Sequence, residues 1–187
     1  GYGIRYDYGM FAQSIHDGYQ VEQPDDWLKL GNPWEFPRRQ VTCPVKFGGW
    51  VEHDPEKGAI WHEAEKVEAQ AYDMIVPGYG TKTINTMRLW HAHAAESLDL
   101  TLFSQGNYMQ AVASKNQSEN VTRVLYPDDS SYQGRELRLR QEYFFVSASL
   151  QDIIRRYLHN HELFNELSDQ VAIHLNDTHP AIAVPEL

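Results

Sequence analysis

Cysteine is scarce in this chain, and long apolar runs are absent from it. Cys43 is the only cysteine among 187 residues, so no intramolecular disulfide can form and we expect a reducing, cytoplasmic location. No run approaches the roughly 18 apolar residues of a transmembrane helix, so we expect no membrane span. Residues 1–20 mix tyrosine, glycine and charge, and they lack the apolar stretch of a signal peptide.

Positive charge is also in short supply. Lysine and arginine number 16 against 26 aspartate and glutamate residues, which gives a formal net charge of -10. Because nucleic-acid affinity depends on basic side chains that neutralise phosphates, we expect no nucleic-acid partner. The motifs G-x-G-x-x-G, G-x-S-x-G and Walker A are absent. An apolar fraction of 42% nevertheless predicts a folded domain rather than a disordered segment.

Residues 1–94 carry the patterns of β-structure. Apolar and polar residues alternate over 66–77 and 83–95, and a Gly- and Pro-containing turn joins the two runs. These runs predict a long antiparallel β-ribbon. The dipeptide Asp17-Gly18 predicts a further hairpin.

Residues 95–187 are predicted to be mainly helical. The strongest helical pattern runs from residue 135 to about 157, and its middle turns are so apolar that we expect the helix to be mostly buried. The short apolar run "VAIHL" predicts one parallel strand near 171–175. Weaker patterns predict short helices over 100–114, 117–124 and 162–169.

The segment "HLNDTHP" places polar residues where a strand ends and a helix begins. Ligands collect at such strand ends, and Pro180 suits the first helical position. Asp177 and His179 are therefore candidate ligand-binding residues. The alternative is an ordinary turn, because turns favour the same residue types.

Arginines cluster at both ends of the predicted long helix. Arg135, Arg138 and Arg140 lie in its first turns, where a cation opposes the helix dipole at a cost of about 0.3–1 kcal/mol. An anion should therefore offset them, and the candidates are Asp128, Asp129, Glu136 or a ligand phosphate. The dipole alone explains Arg155 and Arg156, which lie near the helix C-terminus.

Two further groups of residues are weaker candidates for a site. His91 and His93 share one strand face, but no further metal ligands are indicated nearby, so we expect no metal site. The five tryptophans and eleven tyrosines are suited to stacking on sugar rings, although such residues more often form cores or interfaces.

Several segments together give a family resemblance. In order along the chain they read "GYGIRYDYGMFAQ", "DDWLKLGNPWE", "NTMRLWHA", "RVLYPDDSSYQGRELRLRQEYFFVSASLQDIIRR" and "LNDTHPAIAVPEL". This ordered set resembles the α-glucan phosphorylases, which act on glycogen, starch or maltodextrin. The resemblance implies an α/β fold in which the chain, 1–187, is a single partial domain. By this resemblance, the chain corresponds to an internal part of the N-terminal domain of an enzyme that has two Rossmann-like domains.

The resemblance also implies an activity for the parent enzyme. Such an enzyme uses phosphate to release glucose 1-phosphate from the chain ends of an α-1,4-glucan, with pyridoxal phosphate as cofactor, and it is a homodimer. The lysine that carries the cofactor belongs to the other domain. The fragment is therefore expected to bind no pyridoxal phosphate, to lack a complete set of catalytic residues and to be inactive alone.

Individual residues match family positions. His179 matches a histidine that contacts the glucosyl unit, and Asp177 is expected to shape the same pocket. Asp129 lies in a segment that matches the loop gating the catalytic cleft, and Arg138 matches an arginine near the active site. The pair Arg155 and Arg156 matches the site for the phosphate of an activating nucleotide in animal enzymes.

Some positions differ from the animal enzymes. Ser130 and Ser131 replace an asparagine and an aromatic residue of the gate loop, and the stretch between Arg156 and Val171 is shorter. These differences imply a bacterial-type enzyme. Two alternatives stay open at this point: a non-catalytic glucan-binding module built on the β-ribbon, and a nucleotide-sensing module that uses the two adjacent arginines.

Overall fold

A four-stranded sheet and one long helix organise the chain, which the computed structural model describes over residues 1–95, 98–125 and 127–174. The mixed α/β class expected from the sequence is confirmed. Within the described ranges, no helix combines the length and the apolar character needed to cross a bilayer.

The strands fall into one large sheet and two hairpins. Their bounds are β1 Tyr2–Ile4, β2 Phe11–His16, β3 Tyr19–Pro24, β4 Glu35–Phe47, β5 Trp50–Asp54, β6 Gly58–His62, β7 Glu65–Pro77 and β8 Ile84–Ala94. The large sheet has the order β1-β8-β7-β4, while β2 pairs with β3 and β5 pairs with β6.

The long strands of the large sheet are antiparallel. β7 and β8 pair along their full overlap, from Val67 opposite Ala94 to Pro77 opposite Ile84. β4 pairs with the other edge of β7, with a register shift between Arg38 and Thr42. β1 is parallel to β8, a pairing that the sequence did not indicate.

In the described part of the chain, five helices follow the sheet. They are α1 Leu100–Ser104, α2 Tyr108–Ala111, α3 Ala113–Glu119, α4 Tyr132–Leu158 and α5 Leu167–Gln170, and a 3₁₀ turn spans Asn120–Thr122. The 27-residue helix α4 extends the predicted 135–157 helix by one turn at its start. It begins there because Ser131 Oγ accepts a hydrogen bond from the backbone N–H of Gly134 at 3.1 Å. A side chain is excluded at Gly134, because a Cβ there would collide with the carbonyl oxygen of Asp128.

The core lies between one face of the large sheet and α4. Alternate residues of β7 point towards it, as a period of two requires. Its buried apolar members are Cys43, Val45, Val67, Ala69, Ala71, Trp90, Ala92, Val121, Phe144 and Ala148. Each fully buried large side chain stabilises the fold by about 1.5–3 kcal/mol.

The expectation of a mostly apolar, buried α4 is only partly correct. Phe144 is fully buried, but Leu150 is half-buried and Ile154 is exposed at 37%. The buried side includes several polar residues, namely Gln141, Ser147, Ser149 and Asp152. Apolar residues ring the middle of the helix, whereas the sheet covers only one of its faces in the described chain.

The hairpin predicted at Asp17-Gly18 is confirmed as β2 and β3, whereas three other local expectations need correction. The helix predicted over 100–114 is broken, because Gly106 adopts a left-handed conformation with φ of +79°. The helix predicted over 162–169 forms only as α5. Residues 171–174 form no strand, so the parallel strand predicted near 171–175 is not found in its described part.

A buried carboxylate joins α4 to the sheet. Asp152 is fully buried and accepts hydrogen bonds from Arg88 Nη1 of β8 at 2.7 Å and from the Tyr2 hydroxyl of β1 at 2.9 Å. Arg155 adds bonds of 2.6 and 3.2 Å from the next turn of the helix. Burial raises the pKa of Asp152, but the bonds from Arg155 and Tyr2 and the charge of Arg88 outweigh burial, so its pKa lies below the usual value.

A second carboxylate extends this network across the sheet. Asp73 of β7 binds Arg88 through two hydrogen bonds, of 2.9 and 3.1 Å, and it also accepts a bond of 2.8 Å from Arg38 of β4. Burial again acts to raise the pKa of Asp73, and the two arginines hold it below its usual value. Arg88 therefore links two acidic groups on different elements.

We predict that Asp152→Ala lowers the free energy of unfolding by about 1–3 kcal/mol, because Arg88 and Tyr2 lose a buried hydrogen-bond partner while Arg88 keeps Asp73. Arg155→Ala is the matched control. The side chain of Arg155 is 55% exposed, so its loss should cost less than about 1 kcal/mol. Urea unfolding of the full-length protein measures both values, and equal losses would refute the assignment.

Candidate functional site

The turn before α4 is held by its own side chains. Asp128 accepts hydrogen bonds from the backbone N–H of Ser130 at 3.0 Å and from the Ser130 hydroxyl at 2.8 Å. These two bonds, the backbone bond first, lower the pKa of Asp128. The turn therefore presents the next carboxylate, Asp129, at the start of the helix.

The structure brings together two of the residues singled out in the sequence. Arg138 Nη1 lies 2.6 Å from Asp129 Oδ2, and its Nε lies 3.6 Å from Glu142 Oε1. Both Arg138 and Asp129 are about half exposed. Solvent weakens an ion pair at such a position, so a ligand can replace either partner of the pair at little cost in free energy. A ligand anion would bind the guanidinium, and a ligand hydroxyl would bind the carboxylate.

The two neighbouring arginines are tied to the protein in other ways. Arg135 Nη1 donates to the carbonyl oxygens of Asp129 at 3.3 Å and Ser130 at 3.2 Å, so it stabilises the turn. Arg140 Nη2 lies 2.8 Å from Glu65 Oε2, and its guanidinium packs over the ring of Phe47 at 4.3 Å. Arg138 is thus the one of the three that pairs with a side-chain carboxylate of the turn.

The arginine pair at the far end of α4 is also engaged. Both hydrogen bonds from Arg155 described above go to the buried carboxylate of Asp152. Burial raises the pKa of the Tyr2 hydroxyl, Asp152 raises it further, and Arg156 acts in the opposite sense. Arg155 therefore already serves the link between helix and sheet, and Arg156 lies close enough to the Tyr2 hydroxyl to affect its pKa.

The other predicted residues lie beyond the described chain. Asp177 and His179, together with the strand-to-helix turn that carries them, lie outside the described residues. Their place at the site stays a prediction.

The two strand histidines form a hydrogen-bonded chain. His91 Nε2 lies 3.1 Å from Asp7 Oδ1, and His91 Nδ1 lies 3.3 Å from His93 Nε2. Because an ionised carboxylate only accepts, a neutral His91 donates its Nε2–H to Asp7, and its Nδ1 accepts a hydrogen bond from the Nε2–H of His93. Within the described ranges, no group of three or more His, Cys, Asp or Glu side chains is arranged to hold a metal ion.

Sequence reasoning missed the charged group around this histidine chain. Arg5 lies 3.2 Å from Asp7 and 2.8 Å from Glu35, and its guanidinium packs over Tyr72 at 4.7 Å. The residues lie far apart in the sequence, and only the parallel pairing of β1 with β8 places Asp7 beside His91. No local pattern could have shown this.

Neither a nucleophilic cysteine nor a cofactor lysine is apparent. Burial raises the pKa of the Cys43 thiol to about 11, which suits a packing residue. A lysine that carries pyridoxal phosphate needs a pocket that desolvates its amine. The lysines of this chain are exposed or half-buried: Lys29, Lys46, Lys57, Lys66, Lys82 and Lys115.

Comparison with known proteins gives one consistent family. The profile of the carbohydrate phosphorylase family matches residues 1–187. A glycogen phosphorylase of Haemophilus influenzae is 56% identical over 187 residues, and the liver form of Homo sapiens is 53% identical over 195 aligned positions. The brain form of Mus musculus is 51% identical. All of this chain is covered in each comparison, and it spans 23% of the length of these curated relatives.

The histidine chain predicts a pH dependence of stability. Burial is the largest cause that lowers the pKa values of His91 and His93, against the charges of Asp7 and Glu119. Below the unfolded-state pKa of about 6.5, the unfolded chain then binds more protons than the folded one. The free energy of unfolding should therefore fall as pH drops below this value.

We expect His93→Gln to reduce the slope of the free energy of unfolding against pH, while the glutamine amide keeps a hydrogen bond to His91. The full effect of one histidine is at most about 1.4 kcal/mol per pH unit. Urea unfolding at a series of pH values between about 5 and 8, the range in which histidine titrates, measures how the free energy of unfolding depends on pH. The control is His16→Gln, on an exposed strand. An unchanged slope in the His93 variant would contradict the assignment.

Proposed function

This chain belongs to the carbohydrate phosphorylase family, and we propose that the whole protein is an α-1,4-glucan phosphorylase. It uses phosphate to release glucose 1-phosphate from the ends of glucan chains. The observation that carries the proposal is the match of the entire chain to glycogen phosphorylases at 56% and 53% identity.

The geometry before α4 supports a role in substrate binding. The half-exposed ion pair of Asp129 and Arg138 offers one acceptor for sugar hydroxyls and one cation for an anion. In our proposal, Arg138 stabilises negative charge at the cleft and Asp129 contacts glucan or holds the gate loop closed. His179 and Asp177 bind the hydroxyls of the glucosyl unit. This positioning is the contribution of the chain to catalysis.

The remaining parts of the enzyme lie outside this chain in our proposal. Pyridoxal phosphate supplies proton transfer through its phosphate when bound, and the described residues provide no lysine for it. We propose that the chain is part of an N-terminal Rossmann-like domain, that it is inactive alone, and that the enzyme is a cytoplasmic homodimer. Residues 107–114 are proposed to contribute to the dimer contact.

A bacterial-type enzyme fits the comparisons better than an animal type. The alignment with the human liver form needs 195 positions for the 187 residues of this chain, a difference of eight, whereas the alignment with the Haemophilus influenzae enzyme needs 187. This difference supports the view that a segment present in animal enzymes is shortened here.

The proposal is tested by an assay of the full-length, cofactor-loaded protein with glycogen or maltodextrin and phosphate. The expected product is glucose 1-phosphate with retained configuration. A folded and loaded protein that releases none from any α-1,4-glucan would overturn the proposal.

His179→Ala tests the sugar contact. Loss of a hydrogen bond to a neutral hydroxyl should lower kcat/KM by a factor equivalent to about 0.5–1.5 kcal/mol. A bond that strengthens in the transition state should cost more and appear in kcat. Steady-state kinetics and a melting curve measure the two effects. Unchanged kinetics with a large fall in melting temperature would show that His179 is a structural residue.

The same enzyme should not depend on AMP. Arg155 is already bonded to Asp152, and a nucleotide would have to displace a buried carboxylate to recruit it. An arginine–phosphate contact also reads charge and geometry rather than the purine. We therefore expect full activity without AMP, measured as the phosphorolysis rate at sub-saturating glucan. A large, saturable activation that Arg155→Ala abolishes would contradict this expectation.

A further inference from the structure

A stretch after β1 holds the segment that leads into the turn before α4. The backbone N–H of Asp7 donates to the carbonyl oxygen of Thr122 at 3.2 Å. The N–H of Tyr8 donates to the carbonyl oxygen of Arg123 at 2.7 Å, and the Tyr8 carbonyl oxygen accepts from the N–H of Leu125 at 2.9 Å. This parallel pairing sets the course of the chain as it approaches the turn.

The same segment is fixed on two further sides by buried contacts. Thr122 is fully buried, and its hydroxyl accepts a hydrogen bond from the backbone N–H of Ala92 in β8 at 3.0 Å. Gln141 of α4 donates to the carbonyl oxygen of Val124 at 2.9 Å. Three elements thus hold the segment, and the stretch after β1 connects it to titratable side chains.

Asp7 is the residue that joins this segment to the strand histidines. Its backbone is bonded to Thr122, whereas its side chain accepts a hydrogen bond from His91 Nε2 at 3.1 Å and lies 3.2 Å from Arg5 Nη1. The Asp7 carbonyl oxygen accepts a further bond from the indole N–H of Trp27 at 3.1 Å. A change at His91 therefore acts directly on the residue that holds the segment.

The hydrogen bonds of the histidine pair depend on its protonation. In the neutral pair, His91 donates to Asp7 and accepts from His93 through Nδ1, across 3.3 Å. A proton added to His91 turns Nδ1 into a donor, so His93 has to move its own proton from Nε2 to Nδ1 before it can accept. When both rings are protonated, two N–H donors face each other and the bond is lost. Proton uptake therefore rearranges the pair.

Charged and titratable groups face the pair from every neighbouring element. They are Arg5 and Asp7 after β1, Glu35 of β4 through its 2.8 Å contact with Arg5, Glu68 and Tyr72 of β7, and Lys115 and Glu119 of α3. Burial lowers the pKa of both histidines more than the carboxylates raise it. A charged pair is therefore disfavoured in this arrangement, and protonation favours one in which water reaches the rings.

We propose that His91 and Asp7 are positioning residues for the glucan site: the neutral histidine pair holds the turn before α4 in its binding position, and protonation of the pair releases it. The inference rests on the proposed function, in which Asp129 of this turn contacts glucan or holds the gate loop closed. Above a pH of about 6.5, the ordinary value for histidine, the rings are neutral and the turn is held. As pH falls below this value, the released form binds protons more readily than the held form and gains population.

The test compares the KM for maltodextrin of the full-length enzyme at about pH 5.5 and about pH 7.5, on either side of the histidine titration. In the double variant His91→Gln and His93→Gln, neither side chain takes up a proton, while a glutamine amide still offers a donor to Asp7. The ratio of the KM at the lower pH to the KM at the higher pH should be about threefold or more larger in the wild type, because KM rises as the binding-competent fraction falls. The corresponding ratio of kcat values should be the same in both proteins. His16→Gln, which lies outside the large sheet, is the matched control and should keep the wild-type ratio.

Hydrogen exchange of the full-length protein without glucan gives a readout that does not depend on activity. After correction for the intrinsic effect of pH on exchange, peptides that contain Tyr8 or Leu125 should lose protection at the lower pH in the wild type. The same peptides should keep their protection in the double variant. Peptides from β7 should stay protected in both proteins.

Equal KM ratios in the wild type and the double variant would overturn the inference, and so would a difference in kcat alone. Loss of protection throughout the large sheet would show general unfolding, and unchanged protection near Tyr8 and Leu125 would show that the histidines act elsewhere. Either result would also overturn the inference. If the double variant does not fold, His93→Gln takes its place and should lower the KM ratio below that of the wild type.

The inference and the proposed function fail in different ways. If the wild-type protein releases no glucose 1-phosphate, the proposed function fails, and the exchange experiment decides whether the histidine pair holds the turn. If phosphorolysis occurs and the exchange near Tyr8 and Leu125 does not respond to pH, the inference alone fails.

Discussion

The buried carboxylate of Asp152 is the constraint on which the position of α4 depends. It lies on the packed face of the helix, near its C-terminal end, and receives hydrogen bonds from Arg88 of β8 and Tyr2 of β1. A buried charge is costly unless its geometry and hydrogen bonds are nearly complete. Only one rotation and one height of α4 on the sheet satisfy these bonds. Apolar packing around Phe144 and Trp90 supplies the energy of association, whereas Asp152 specifies the arrangement.

A helix fixed in this way also fixes the distance between its two ends. At 1.5 Å per residue, Arg138 and Arg155 lie about 26 Å apart along α4. The two arginine groups therefore belong to separate places on the protein. The first group presents a half-exposed ion pair beside a polar turn. The second is bonded to the buried carboxylate and contributes to the attachment of the helix. The same residue type thus forms an exposed ion pair at one end of the helix and a bond to a buried carboxylate at the other.

The elements that sequence reasoning found are those with a local period. The alternation over 66–77 and 83–95 corresponds to β7 and β8, and the apolar repeat from 135 corresponds to α4. The break near Gly106 was visible in principle, because a Gly-Asn pair is a turn signal. The parallel pairing of β1 with β8 was not visible in the sequence, since paired residues such as Tyr2 and Arg88 are more than 80 residues apart along the chain.

The candidate site divides in the same way. The cost of a cation at a helix start predicted an anionic partner for the first arginines without choosing among several, and the structure pairs Arg138 with Asp129. The bond of Arg155 to Asp152 follows an i, i+3 spacing. The bond of His91 to Asp7 depends on the sheet, so no local rule could indicate it. The most direct test of the account is a double-mutant cycle between Arg88 and Asp152, measured by urea unfolding of the full-length protein. We expect a coupling free energy of about 1–3 kcal/mol between the two side chains, as for contacting groups in one network. Additive effects of Arg88→Gln and Asp152→Asn would contradict the central role of this buried pair.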